Sequence, residues 1–365
     1  MKDSPLILTL DAGGTNFVFS AMKDREIVTN PINKKAYADN LNHCLESLFN
    51  GFKETITKLK SPPDAISFAF PGPANYHMGI IGNLPNFNAF NGDTPLGPIL
   101  ENEFGIPVYI NNDGNLFAYG EATSGQLPVI NEKLKKAGSL KKFNNLIGIT
   151  LGTGIGSGIV IDGHLLLGDN ACGAEIHNTL NRDNSNWNCE ESISTRAIQR
   201  VYAEESDIAF DSKIFPGDIY NIAKGKDKGN KEAALSAFKQ FGTSLGSTIC
   251  NIVSIIDGLV VIGGGITKGW DLFGSHTLRE INKSYRDHTG KMHDRLSYRF
   301  FDLTREEYLL EFTKGSEKKM AIPGSGKELV YDTMPRTGIT LSQIGASQSI
   351  MLGAYDFAVS KLQNK

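Results

Sequence analysis

At 365 residues the chain is long enough for two domains, each with a sizeable core. Hydrophobic residues at 40% and charged residues at 21% are the proportions of a soluble globular protein, and a net charge of −3 gives no electrostatic footprint for nucleic acid or an acidic membrane. Cys44, Cys172, Cys189 and Cys250 lie far apart with no Cys-x-x-Cys pair, MKDSP leads straight into a strand, and no apolar run reaches the ~20 residues that span a bilayer; together these point to reduced thiols in a cytoplasmic protein.

In chain order, the run LILTL stops at Asp11, turns through DAGGTN and resumes as FVFSAM, a hairpin with a ligand-ready turn. Gly13 and Gly14 let backbone amides approach a ligand closely, Thr15 adds a hydroxyl, and Asp11 can hold a metal ion or its water shell. A helix is expected over LNHCLESLFNGFKETITKLK, then the strands AISFAF and VYINN, with a further helix from near Asn115. Residues 122–145, with lysines and scattered Gly, Pro and Asn, read as a connector or surface excursion, the lysines at 133–142 forming a solvated face. The strands LIGITLG and IGSGIVI, a long helix over KEAALSAFKQFGTSLGSTICNIVSII and the strand LVVIGGG follow. Residues 283–340 read as an insertion, and a last helix occupies about 341–362. Alternating strands and helices with Gly-rich turns after the strands argue for α/β architecture, with ligands gathered at strand carboxyl ends.

The second glycine turn, ITLGTGIGSGIVI, carries Gly152, Thr153, Gly154, Gly156 and Gly158, and echoes the first. Two such hairpins can clamp one nucleotide's phosphates from either side. A dinucleotide fingerprint fails because Ser157 stands where its third glycine belongs and a strand follows in place of a helix. The P-loop candidate AIPGSGKE fails at Ala321 and Glu328. Between the two turns, Asp113 ends the strand VYINN. It either caps the next helix, worth ~1 kcal/mol, or serves as general base for a hydroxyl nucleophile; flanked by two phosphate turns, the base is favoured. Gly263, Gly264 and Gly265 form a third cluster, suited to the adenosine part of a nucleotide.

The order and spacing of DAGGTN, NNDGN, LGTGIGSG, GAEIH and VIGGGI resemble the ROK family of sugar kinases and sugar-responsive repressors, over nearly the whole chain. The resemblance implies a two-domain actin-like (ribonuclease H-like) ATPase fold with a cleft, and ATP, Mg²⁺ and a hexose or N-acetylhexosamine as ligands. It implies a small domain over 1–120 joined by the helix at about 345–365, and a large domain over 121–344. Asp11 resembles the residue near Mg²⁺, reached through water; Gly13, Gly14, Thr15, Asn16 and the second hairpin resemble the phosphate loops. Asn112 and Asp113 resemble the sugar-binding Asn and the catalytic Asp, and Gly72 a backbone contact to the sugar. Glu175 matches a sugar-contacting glutamate. The family's histidine register falls on Asn178, with His177 one place early. Glu191 resembles the second sugar glutamate, although adjacent Glu190 competes for the role. The family's cysteine-rich zinc loop is reduced to NTLNRDNSNWNCEES with Cys189 alone, so no structural zinc is expected.

The leading reading is therefore a cytoplasmic ATP-dependent kinase acting on the 6-hydroxyl of a hexose or N-acetylhexosamine, expected as a homodimer on the resemblance. The competing readings are a sugar sensor or regulator without DNA contact, since only ten residues precede Asp11, and a degenerate kinase that binds without turnover. Trp187 and Trp270 suit core or loop packing, and Cys44 and Cys250 sit in apolar helical patterns expected to be core.

Overall fold

The computed structural model describes residues 4–363 apart from 73, 83, 85 and 86. Strands β1 (Ile7–Ala12), β2 (Asn16–Lys23), β3 (Glu26–Ile27) and β4 (Ile32–Lys35) precede helix α1 (Leu41–Thr57) and strand β5 (Ala65–Ala69). The short strands β6 (Ala74–Asn75) and β7 (Ile80–Ile81), helix α2 (Leu96–Phe104), strand β8 (Val108–Asn111) and helix α3 (Asp113–Thr123) follow. Helix α4 (Gln126–Lys136) leads to β9 (Leu146–Leu151), β10 (Ile155–Ile161), β11 (His164–Leu165), then α5 (Thr195–Ser206), α6 (Pro216–Ala223), α7 (Lys231–Val253), β12 (Leu259–Gly263) and α8 (Trp270–Ile281). The chain ends with β13 (Ser284–Arg286), β14 (Met292–Asp294), β15 (Arg299–Asp302), α9 (Glu306–Lys314), β16 (Glu317–Ile322), β17 (Lys327–Asp332), β18 (Arg336–Leu341) and α10 (Ala346–Gln363). Two compact units result: residues 1–124 with 165–174 and 344–365, and residues 125–164 with 175–343. Among the described residues no helix is long and apolar enough to cross a membrane.

The first unit is built on a sheet ordered β3-β2-β1-β5-β8, with β4 also paired to β2. Period-two alternation sends Leu8, Leu10, Phe17, Phe19, Ile66 and Phe68 to one face, where Cys44, Leu48 and Phe52 of α1 meet them at helical spacing. Ile7, Met22 and Ala65 point the other way and are covered by Leu352, Tyr355 and Ala358 of α10. Helix α10 also lies against α3 at nearly bare backbone. A Cβ on Gly353 would sit 1.9 Å from the Leu116 carbonyl oxygen, and one on Gly120 would sit 1.9 Å from the Ser349 oxygen. The Ser349 hydroxyl donates to Glu121 Oε1 at 2.6 Å beside this contact.

The second unit has a sheet ordered β11-β10-β9-β12-β18-β15, in which β9, β12, β18 and β15 run parallel and β10 returns antiparallel to β9. Two expectations are corrected here. Residues 122–145 are not a plain connector: α4 forms because Leu127, Ile130 and Leu134 fall on one buried face while Lys133, Lys135 and Lys136 point outward. Nor is 283–340 one insertion, since β15 and β18 complete the main sheet and only β13–β14 and β16–β17 stand apart as hairpins. Arg336 hides the start of β18. Its fully buried guanidinium is charge-paired with Asp332 at 2.5 Å and donates to the Phe312 and Met334 carbonyls at 2.6 and 2.8 Å. Because β18 takes residues 336–341, the last helix starts at Ala346 and not at 341. The AIPGSGKE stretch is the exposed turn of the β16–β17 hairpin.

Candidate active site

In the first unit β1, β5 and β8 are parallel neighbours, so their carboxyl ends share one edge of the sheet. Asp11 lies near the end of β1, and Gly13, Gly14 and Thr15 turn the chain to Asn16, the first residue of β2, all exposed. The turn is tied from behind by the Ala36 N–H, which donates to the Thr15 carbonyl at 2.9 Å. After β5 comes Gly72, half-buried beside Tyr76, whose hydroxyl donates to the Phe70 carbonyl at 2.9 Å. After β8 come Asn112 and Asp113. Asn112 is the cap of α3: its Oδ1 accepts the Gly114 and Asn115 N–H groups at 2.7 and 3.4 Å. Asp113 is the first helical residue, exposed, with Oδ1 accepting the Gly114 N–H at 2.8 Å. Asp11 and Asp113 line one cavity of about 800 Å³ inside this unit, together with Phe70 and Met351. Thr9 lines it too, and its buried hydroxyl has no hydrogen-bond partner among the described residues.

In the second unit the glycine turn Gly152–Thr153–Gly154 links β9 to β10, closed by the Gly152 N–H donating to the Gly154 carbonyl at 3.0 Å. Gly156 sits within β10 opposite Thr150. Strand β12 is the next strand over, so Gly263, Gly264 and Gly265 emerge beside this turn, with Gly263 opposite Thr150. Gly264 has φ +96°, and a Cβ there would lie 2.3 Å from the Leu151 carbonyl oxygen; only glycine permits that approach.

The remaining candidates lie on two short 3₁₀ turns, Ile176–Asn178 and Cys189–Ser192. Glu175 Oε2 sits 2.9 Å from His177 Nδ1, both half-buried, which fixes the ring. Asn178 is exposed, its N–H donating to the Glu175 carbonyl at 3.2 Å. Cys189 stitches the turns together: its buried thiol donates to the Ile176 carbonyl at 3.1 Å, and burial pushes its pKa up. Glu191 pairs with Arg196 at 2.7 Å. Glu190 turns the other way, its Oε2 accepting the Ile155 N–H at 3.1 Å. The Thr195 N–H and hydroxyl both donate to the Gly152 carbonyl, at 3.0 and 2.9 Å.

Sequence reasoning missed Asn181, which organises the loop between the two turns. It is buried, its Nδ2 donates to the Asn188 carbonyl and the Ser192 hydroxyl at 2.9 Å each, and its Oδ1 accepts the Asp183 and Asn184 N–H groups at 2.9 and 3.1 Å. Its signal was the Asn-x-Asp-Asn run, a pattern that turns on its own side chains. The donor set does not fit zinc. Cys189 and His177 offer two donors where a closed tetrahedral zinc site needs four, and among the described residues no three His, Cys, Asp or Glu groups converge. Trp187 lies under the Arg200 guanidinium at 4.8 Å, Trp270 packs edge-on to Phe273 at 5.3 Å, and Cys44 and Cys250 are buried.

A sequence profile of the ROK family matches residues 7–294. The crystal structure of a glucokinase from Parabacteroides distasonis superposes with a TM-score of 0.89 at 46% identity, covering 98% of each chain. A glucokinase from Halalkalibacterium halodurans is 30% identical over 289 residues, 72% of this chain and 81% of its own. A xylose repressor from Bacillus spizizenii is 28% identical over 216 residues, 57% of this chain and half of its own.

Proposed function

The chain belongs to the ROK family, has the two-domain actin-like ATPase fold and is a sugar kinase, and on that premise we propose that it transfers the terminal phosphoryl group of ATP to the 6-hydroxyl of a hexose or N-acetylhexosamine, with Asp113 as general base. The observation that carries this reading is the convergence of Asp11 and Asp113, from the ends of two strands one apart in the sheet, on a single cavity. Phosphoryl transfer asks little covalent chemistry of a protein: positioning, neutralised charge, and a carboxylate to take the hydroxyl proton.

Each residue then has a task. Asp113 accepts the proton of the attacking hydroxyl. Asn112 has its Oδ1 committed to the helix, so its Nδ2 donates to a sugar oxygen. Glu175 holds the His177 ring, which supports His177 over Asn178 as the sugar contact; Glu191 is the second carboxylate and Gly72 a backbone contact. Gly13, Gly14, Thr15, Asn16, Gly152, Thr153, Gly154 and Gly156 receive the phosphates, and Gly263, Gly264 and Gly265 flank the adenosine. Asp11 would hold Mg²⁺ through water, and a single carboxylate suits an ion that keeps several waters and binds mainly to substrate phosphates. When bound, that ion supplies neutralisation of phosphate charge. The two compact units correspond to the family's two domains, and the protein works in the cytoplasm as a homodimer without structural zinc.

The test is ADP release from Mg²⁺–ATP with a panel of hexoses and N-acetylhexosamines, on wild type and Asp113→Asn. Turnover on at least one sugar is expected, with kcat lowered about 10²-fold or more in the variant. Sugar binding without turnover would sink the kinase mechanism. It would favour the second reading, a sugar sensor, which rests on the similarity to a repressor.

A further inference from the structure

The Cys189–Ser192 turn sends two adjacent carboxylates to different tasks. Glu191 pairs with Arg196 at 2.7 Å, whereas Glu190 reaches the glycine turn and accepts the Ile155 N–H at 3.1 Å. A Cβ on Gly154 would lie 2.1 Å from that same Glu190 oxygen, so Gly154 is bare on this side because the carboxylate fills the space. Farther along, Thr195 places both its N–H and its hydroxyl on the Gly152 carbonyl. One stretch, residues 189–195, therefore grips both ends of the turn. The same stretch carries Glu191 and, through the Cys189 thiol, touches the turn bearing His177.

We propose that Glu190 is a positioning residue that holds the second glycine turn in its phosphate-receiving shape and makes that shape depend on the sugar-contacting segment. The inference rests on the kinase reading of Gly152–Gly154 and deepens it. The two glycines flanking Thr153 have no side chains to pack and the widest backbone freedom, so one internal hydrogen bond leaves much of the turn's shape to be imposed from outside. The sign of the effect separates a brace from a competitor. A carboxylate that faced the phosphates would repel them, and removing it would tighten nucleotide binding; a brace, once removed, loosens it.

The experiment is calorimetric binding of a non-hydrolysable ATP analogue with Mg²⁺ to the full chain, alongside steady-state kinetics. Glu190→Ala should weaken binding about 10–100-fold, the range for losing one hydrogen bond to a charged group, with KM for ATP rising and kcat changing far less. Glu190→Gln, which keeps an acceptor oxygen, should restore most of the affinity. Gly154→Ala expels the carboxylate and should match Glu190→Ala, and the double variant should be no worse than either alone. Unchanged or tighter binding in Glu190→Ala, or losses that add in the double variant, would overturn the proposal. A wild type that phosphorylates sugar yet shows those results indicts Glu190 alone; a wild type that binds no nucleotide removes the kinase reading, and this inference with it.

Discussion

Substituting Gly353→Ala tests how closely the helix that carries Asp113 depends on its neighbour. The added Cβ would lie 1.9 Å from the Leu116 carbonyl oxygen and 2.8 Å from its carbon, both backbone atoms that cannot rotate aside. An ordinary C···O approach is about 3.3 Å, so α10 and α3 must part by about 1.4 Å. Parting strips packing from Leu352, Tyr355 and Ala358 on the same helix. Overpacking of this kind costs up to about 3 kcal/mol, offset by about 1 kcal/mol because alanine favours a helix interior over glycine. A net loss of about 2 kcal/mol lowers Tm by about 4–8 °C for a unit of this size. Because Leu116 lies within a turn of Asp113, the displacement should also lower kcat more than it raises KM, as misplacement by about 1 Å does elsewhere. Thermal melting and steady-state kinetics on the same preparation read both effects, with Gly217→Ala, where a Cβ meets nothing within 4 Å, as control. A fall below 2 °C with kcat unchanged would refute the argument.

Asn181→Ala removes four hydrogen bonds from the loop that carries Glu191, so stability should drop by about 2–3 kcal/mol and the KM for sugar should rise; a variant that melts and binds sugar like wild type counts against the hub. Zinc chelators should leave activity intact, and metal analysis of the purified chain should return far less than one zinc per chain; loss of activity restored by added zinc would contradict the donor argument. Burial pushes the Cys44 thiol from about 9 to about 12, so its contribution to stability is complete below pH 9 and is lost as pH rises toward 12. Urea unfolding of wild type and Cys44→Ala should show a stability gap that narrows from pH 8 to pH 10.5, and a constant gap would show that the thiol does not titrate as its burial dictates.

The glycine turns were legible because their chemistry is local: a strand, a break and a second strand within a dozen residues leave a period-two pattern on either side of the turn. Asp113 was legible for its position at a strand end, yet the capping task went to Asn112, since a cap must precede the first helical residue and only the φ/ψ of the boundary decides which residue that is. Helix α4 was lost because three lysines in its second half outweigh three buried apolar residues in a composition reading. Strands β15 and β18 were lost because each opens on an arginine, and nothing in sequence reveals that Arg336 brings its own counter-charge, Asp332, from four residues upstream. The division of labour between Glu190 and Glu191 is set by the twist of one 3₁₀ turn, below what spacing can resolve.

The late arrival of α10 bears on how the chain is made. One face of the first sheet, Ile7, Met22 and Ala65, is covered mainly by α10, through Leu352, Tyr355 and Ala358, with Tyr109 at its side. During synthesis that face waits while residues 125–343 are delivered, roughly 10–40 s at 5–20 residues per second. The nascent first unit is thus an open-faced sandwich for the length of another domain's translation, its apolar face in water throughout that interval. A lesion in α10 accordingly acts on strands made about 300 residues before it, and on the Met351 wall of the cavity that Asp11 shares with Asp113.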